Sequence, residues 1–337
     1  MAASTNSLTA NVTPFDAGAP VTAAAFVGDA PALALGDGCV LLGAPGEAKR
    51  IAAHPGAGIL IAAQAGKSKL VTGGDDGRVV VTAGDGSVEE IAHEKGRWID
   101  ALAARDDGAM AWAAGKDVRA RDAKGEIKTF AAPTTVRGLV FFPKGYRLAL
   151  AHYNGVTLWF PNAPASLERL EWKGSHLDVT VSPDARFVVT SMQENALHGW
   201  RMADKKDMRL SGYPAKTRSV SWSFDGAWLA TSGAEGGVVW PFKDKEGPMN
   251  KAPKECGVRR ARITCVSFHP KALVLALGYE DGFVLLCRIT DAAEILVRGH
   301  REGAQAAITA LAWDGAGRRL LFGAVDGAAG LLDMPAQ

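Results

Sequence analysis

The chain has 337 residues, of which 47% are hydrophobic and 22% are charged, and its formal net charge is +2. This balance excludes a disordered chain and provides enough apolar material for a sizeable core. The near-neutral charge gives no electrostatic reason to expect a nucleic-acid or membrane partner.

A pattern of short strands recurs along the whole chain. Each copy reads as a short apolar strand, a turn such as Pro183–Asp184 or Asp225–Gly226, a second apolar strand, a tight turn and a third strand. Eight copies are present at a spacing of roughly 40 residues, which is the period of a four-stranded propeller blade. The copies begin at Val21, Ile59, Ile99, Val136, Leu177, Thr217, Ile263 and Ile308.

Asx-Gly pairs mark the tight turn between the second and third strands. Both residues of such a pair tolerate a positive φ angle, so the pair predicts a two-residue hairpin turn. A more polar fourth strand follows in several copies, as in residues 126–132 and 293–299, and this polarity is typical of the outer strand of a blade. The pairs are Asp37–Gly38, Asp76–Gly77, Asn154–Gly155, Asp281–Gly282 and Asp326–Gly327.

The two ends of the chain suggest how the last copy is completed. That copy stops at Gln337 after three strands, and residues 9–20 precede the first copy as an unattached strand-like segment. We expect this segment to supply the missing outer strand, because the pairing would close a ring and remove two open sheet edges. The predicted fold is therefore all-β: a single closed β-propeller domain over residues 1–337, with eight four-stranded blades and seven as the alternative count.

The cysteines and the N-terminal residues bear on the expected compartment. Cys39, Cys256, Cys265 and Cys287 have no C-x-x-C spacing, so we expect neither a disulfide framework nor a structural zinc site. The first residues lack the basic and apolar regions of a signal peptide, and no apolar run approaches the ~18 residues of a membrane span. We expect a reduced, cytoplasmic, monomeric protein without a metal or other cofactor.

Two stretches carry a family resemblance: "VTVSPDARFVVTS" (179–191) and "LVTGGDDGRVVV" (70–81). They resemble the repeat of WD40 β-propellers, and the pattern extends over essentially the whole chain. The tryptophan that is diagnostic of this repeat is present at Trp159, Trp200 and Trp240. The aspartate that follows it in the family remains only as Asp122 and Asp333.

The resemblance implies a hydrogen-bonded tetrad of His, Ser or Thr, Asp and Trp that rigidifies each blade. The Gly-His pair that opens many repeats is clear once, at Gly299–His300, with Asp326 as its expected partner. Replacing several members of such a network by apolar residues can be nearly neutral, so the departure at Trp240–Pro241 should leave the architecture intact. The resemblance also implies a protein-interaction platform as the usual function.

No motif in the sequence predicts catalysis. The seven histidines form no HExxH or H-x-H pair, and we interpret them as turn or packing residues. The Gly-rich stretches 73–77 and 233–237 lie between strands, whereas a phosphate-binding loop needs a helix N-terminus after it. We therefore expect a protein that is not an enzyme; an enzyme or small-ligand binder that uses the mouth of the central channel is the alternative.

Basic and aromatic residues recur where each copy enters its first strand. In propellers these connections surround one mouth of the channel, and arginine and tryptophan are enriched at interface hot spots. We predict that the residues at these positions line one rim and bind an acidic segment of a partner protein. They are Arg97, Trp98, Arg137, His176, Arg218, Arg259, Arg260 and Arg262.

The segment 243–262 is a second candidate for docking an acidic surface. It holds seven basic and three acidic residues and makes its copy longer than the average. Nucleic acid is the less favoured partner, because a phosphate-tracking site needs interleaved aromatic residues and this segment has none. The predicted function is a non-catalytic scaffold for protein–protein interaction.

Overall fold

The structure is a computed structural model that describes residues 6–299 and 306–335. In these ranges the chain forms thirty-one strands, two short 3-10 helices at Thr9–Asn11 and Pro164–Ser166, and no α-helix. This confirms the prediction of an all-β protein. Among the same residues, the search for a helix that is long and apolar enough to cross a membrane found none.

The strands form seven sheets, and four of these follow one copy of the repeat each. The 21–52 sheet contains Val21–Val27, Ala30–Leu35, Cys39–Leu42 and Lys49–Ala52. The 59–93 sheet contains Ile59–Ala65, Lys69–Gly74, Arg78–Ala83 and Val88–His93. The 101–131 sheet contains Ala101–Ala104, Met110–Ala114, Asp117–Arg121 and Ile127–Ala131. The 220–256 sheet contains Val220–Trp222, Trp228–Thr231, Gly237–Pro241 and Lys254–Cys256.

A single six-stranded sheet holds the fourth and fifth copies together. Its second strand turns at Asn154 and Gly155, whose φ angles are 68° and 135°, and the pairing of Tyr153 with Ser175 joins the two copies. The prediction of eight separate blades is therefore corrected to seven sheets, as in the alternative count. The strands of this 138–210 sheet are Gly138–Phe141, Leu148–Trp159, Glu168–Val181, Phe187–Met192, Leu197–Arg201 and Asp207–Leu210.

The N-terminal segment contributes strands to the last two sheets. Val12–Asp16 pairs antiparallel with Ala328–Asp333 and is the outer strand of the 308–333 sheet, which also contains Ile308–Trp313 and Arg319–Ala324. Residues 9–20 thus contain the outer strand that the sequence predicted, while closure of a ring by this strand stays a prediction.

A second N-terminal strand was not foreseen. Asn6–Ser7 pairs in parallel with Ala293–Arg298 and extends the 263–298 sheet to five strands. The amide of Leu8 continues this pairing by donating to the carbonyl of Leu296, at 2.7 Å. The remaining strands of this sheet are Ile263–Phe268, Val274–Tyr279 and Val284–Arg288.

The tight turns confirm the predicted positive φ angle at the glycine of each Asx-Gly pair, but only Asn154–Gly155 has a positive φ angle at both residues. The glycines at positions 38, 77, 282 and 327 have φ angles of 86°, 79°, 81° and 91°. At Gly77 the space is restricted as well, because a Cβ atom would lie 2.3 Å from the carbonyl oxygen of Glu94. A side chain at this position would therefore have to displace backbone as well as adopt an unfavourable φ angle.

The apolar cores lie between neighbouring sheets. Trp112 and Met110 of the 101–131 sheet, for example, pack with Val79 and Val81 of the 59–93 sheet, and all four are buried. The outer strands are polar and mostly exposed, as Val88–His93 shows, so the predicted contrast between inner and outer strands is confirmed.

The described chain divides into two compact units. The first unit consists of residues 1–33, 43–48 and 217–337, and the second consists of residues 34–42 and 49–216. In the first unit, Ile308, Phe322 and Leu332 form a buried cluster to which Leu8 and Val12 are added from the N-terminal segment. The interpretation of residues 1–337 as one domain stays a prediction.

Candidate partner-binding site

Two backbone hydrogen bonds in the second unit fix the entrances to the first strands. The amide of Ile99 donates to the carbonyl of Gly74, and that of Val136 donates to the carbonyl of Gly115. Ile99 and Val136 are buried by this arrangement, whereas Trp98 is 66% exposed, more than any other large apolar side chain of the described residues. A side chain of this kind on a fixed backbone is a candidate anchor for a partner.

Arg97 directly precedes Trp98, and Arg137 directly follows Val136 at the next strand entrance. Both arginines make only surface interactions. The Nη1 of Arg97 donates to the carbonyl of Ala114 at 3.2 Å, and its Nη2 lies 3.8 Å from Asp117. The Nη1 of Arg137 donates to Asp100 at 2.5 Å. Exposed ion pairs contribute little stability, so both arginines can exchange these contacts for carboxylates of a partner.

Four of the predicted arginines lie in the first unit, and they differ in whether an acidic side chain already pairs with them. Arg218 and Arg260 are exposed, and no acidic side chain of the described residues pairs with either of them. Arg262 is exposed and forms a bond to Glu280 at 2.9 Å.

Arg259 is held by its surroundings. Its guanidinium group lies 3.4 Å from the ring centroid of Phe283 and 5.2 Å from that of Tyr279, and it donates to Asp281 at 2.7 Å. This combination of an ion pair and two cation–π contacts fastens the end of the 243–262 segment to the next sheet. Arg259 is therefore less free than the other arginines to meet a partner, and its place in the binding surface stays a prediction.

His176 is wrongly predicted as a rim residue, because its side chain is fully buried. Its Nε2–H group donates to the carbonyl of Trp172 at 3.0 Å, and its Nδ1 lies 2.7 Å from the hydroxyl of Thr190. Burial lowers the pKa of His176, so the ring is neutral and serves to pack two strands. The remaining rim residues stay a prediction as a joint surface, since three lie in the second unit and four in the first.

A hydrogen-bonded triad that the sequence did not reveal links the connection before the 59–93 sheet to that sheet. The Nδ1–H group of the fully buried His54 donates to Asp76 at 3.0 Å, and its Nε2 lies 2.9 Å from the hydroxyl of Thr72. Burial alone would raise the pKa of Asp76, but hydrogen bonds from the Arg78 amide and from His54 lower it overall. The predicted partner of Asp326, His300, lies outside the described residues.

We expect His54→Ala to lower the free energy of unfolding by about 2–3 kcal/mol, because it leaves a cavity and removes the partner of two polar groups. Asp76→Ala should cost less, since Asp76 is partly exposed and water can reach the vacated amide. Urea unfolding measures both values. A loss below about 0.5 kcal/mol for His54→Ala would show that the triad contributes no net stability.

Stacked rings surround a second buried histidine in the 138–210 sheet. The rings of Trp172 and His198 are parallel to within 17° at a centroid distance of 4.0 Å, and Trp200 meets His198 edge-on at 4.8 Å. Burial lowers the pKa of His198 to about 4. Within residues 6–299 and 306–335, no group of three or more His, Cys, Asp or Glu side chains is arranged to hold a metal ion.

Two family models match separate parts of the chain. The anaphase-promoting complex subunit 4 WD40 domain matches residues 266–336, and the WD domain, G-beta repeat, matches residues 205–240. No curated protein matches the sequence.

Among solved structures, the crystal structure of the computationally designed Ika8 protein is similar, with a TM-score of 0.75 and 18% sequence identity. The similarity covers 95% of this chain and 98% of that chain, and at this identity it shows the fold alone. Together with the tandem copies and the seven sheets, the two family matches support a β-propeller of the WD40-repeat type.

Proposed function

We propose that this protein is a non-catalytic scaffold that binds an acidic segment of a partner protein through Trp98 and the exposed arginines at the strand entrances. WD40 propellers are generally protein-interaction scaffolds and generally not enzymes, which supports this class of function. One of the matching family models is itself named for a subunit of a complex. The single observation that carries the proposal is the exposure of Trp98 beside Arg97.

The proposed surface consists of Arg97, Trp98 and Arg137 in the second unit. Each exposed ion pair adds only ~0–1 kcal/mol, so several arginines are needed for useful affinity. Trp98 supplies the apolar anchor, and hot-spot residues of this type contribute about 2 kcal/mol or more. The bound segment should therefore carry carboxylates around one apolar side chain.

The test uses a partner captured from a lysate of the native host and then titrated against purified variants. We expect Trp98→Ala to weaken the affinity about 30-fold, which corresponds to ~2 kcal/mol. Arg97→Glu/Arg137→Glu should also weaken the affinity and slow association, and raising the salt concentration should have the same effect on the wild type.

Phe224→Ala and Lys124→Glu are the matched controls, because both residues are exposed outside the proposed surface. Unchanged affinity in Trp98→Ala and in the double-arginine variant, with the fold intact, would place the partner surface elsewhere. The 243–262 segment, whose Lys251 pairs with Asp244, would then be the next candidate.

A further inference from the structure

Two cavities in the second unit share a wall that is made of Tyr153, Trp172 and Lys173. The larger cavity has a volume of about 480 Å³, and its apolar floor is formed by Val156 and Leu170. The smaller has a volume of about 310 Å³, with Met192 and Ala196 at its floor. None of the residues of the proposed Trp98 surface lines either cavity.

The shared wall is held in place by the residues behind it. The ring of Trp172 stacks on the buried His198, and its carbonyl accepts a hydrogen bond from His176. The amide of Tyr153 donates to Thr134 at 3.1 Å, and its carbonyl accepts a bond from His152 at 2.8 Å. Because these contacts fix the backbone on both sides, the two cavities are formed before any ligand binds, and little ordering entropy would be lost on binding.

Exposed charges surround the apolar floors. Arg169 lines the larger cavity, Arg209 the smaller, and Lys173 both, and no acidic side chain of the described residues pairs with any of the three. Glu171 and Glu194 are the acidic residues of the two linings and are likewise unpaired. Cations are therefore in excess, and each cavity has one arginine that is free to meet a carboxylate.

We propose that this double cavity, lined on its shared wall by Tyr153, Trp172 and Lys173, binds an extended acidic peptide segment. In an extended chain, side chains two positions apart point to the same side at a separation of about 7 Å. Two apolar side chains in this relation enter the two cavities on either side of the wall. The carboxylates that flank them meet Arg169, Lys173 and Arg209. The exposed ring of Tyr153, at 56%, covers the peptide between the two insertions.

The probe for this proposal is a pool of fluorescein-labelled seven-residue peptides in which Asp or Glu alternates with Leu, Ile, Val or Phe. Fluorescence anisotropy with the full chain should show saturable binding that weakens with salt. Arg169→Glu/Arg209→Glu should weaken the affinity at least ten-fold, and Tyr153→Ala should have a comparable effect. Lys124→Glu is the matched charge control and should leave the affinity unchanged.

Trp98→Ala distinguishes binding at this site from binding at the proposed partner surface, and it should leave the affinity for the peptides unchanged. The proposal would be overturned if no saturable binding is seen, or if a peptide pool with Lys in place of the acidic residues binds equally well. It would also be overturned if Trp98→Ala lowers the affinity while Arg169→Glu/Arg209→Glu and Tyr153→Ala leave it unchanged. Lys173→Glu is a second variant on an exposed side chain, and circular dichroism checks that every variant is folded.

Discussion

Deletion of residues 1–16 should lower the free energy of unfolding by about 3–5 kcal/mol, from the lost burial and the exposed sheet edge. Val12–Asp16 covers the edge strand Ala328–Asp333 along five residue pairs. Leu8 and Val12 also pack against the buried cluster that contains Leu332. Removing the segment exposes this apolar edge to water and leaves backbone groups of the edge strand without their partners.

Urea unfolding of the deletion and of the full chain measures this difference. Deletion of residues 1–5, which precede the described residues, is the control and should leave the unfolding midpoint unchanged. If the longer deletion unfolds at the same midpoint as the full chain, the strand provides no net stability and the completion of the 308–333 sheet must be energetically unimportant.

Acid should destabilise the protein through His198 over a definite pH range. The side chain is fully buried, and burial lowers its pKa from the ordinary value of 6.5 to about 4. Above pH 6.5 the ring is neutral in both the folded and the unfolded chain, so its contribution is constant. Between pH 6.5 and 4 only the unfolded chain binds the proton, and stability therefore falls as the pH falls, by about 3 kcal/mol in total.

His198→Phe should remove this part of the pH dependence. Neither ring nitrogen of His198 has a hydrogen-bond partner among the described residues, so a phenyl ring keeps the stacking on Trp172 without losing a bond. We expect unchanged or higher stability at pH 7.5 and a loss at pH 4.5 that is smaller than in the wild type by about 2–3 kcal/mol. His93→Gln, at an exposed site, is the control, and equal acid sensitivity in His198→Phe and wild type would contradict the assignment.

The repeated strand and turn pattern predicted most of the architecture, because each of its features reflects the conformation or exposure of a few neighbouring residues. Asx-Gly pairs demand a positive φ angle, and the glycines at 38 and 77 have it. Polar outer strands follow from exposure, and Ile127–Ala131 alternates between exposed and half-buried residues as expected. Such features depend on a few neighbouring residues, so a single sequence is sufficient to find them.

The features that the sequence did not predict depend on contacts between residues that are far apart in the chain. His54 is twenty-two positions from Asp76 and lacks the preceding glycine of the family motif, so only the structure shows their hydrogen bond. Nothing in the sequence around Arg259 indicates its contacts with the rings of Tyr279 and Phe283. The joint six-stranded sheet depends on the pairing of Tyr153 with Ser175, and the strand Asn6–Ser7 is too short to show any pattern.

The N-terminal strand has a consequence for biosynthesis. Val12–Asp16 is synthesised before its partners in Ala328–Asp333, which follow more than 300 residues later. At ~5–20 residues per second, the segment waits roughly 15–60 s without its native partner while other open sheet edges form. Pro14 lacks an amide donor and Asp16 adds a charge, and residues of these two kinds discourage pairing with a wrong edge. The same two residues are tolerated in the finished sheet because this strand lies on its outer side, so the sequence "VTPFD" protects the nascent chain at little cost to the native one.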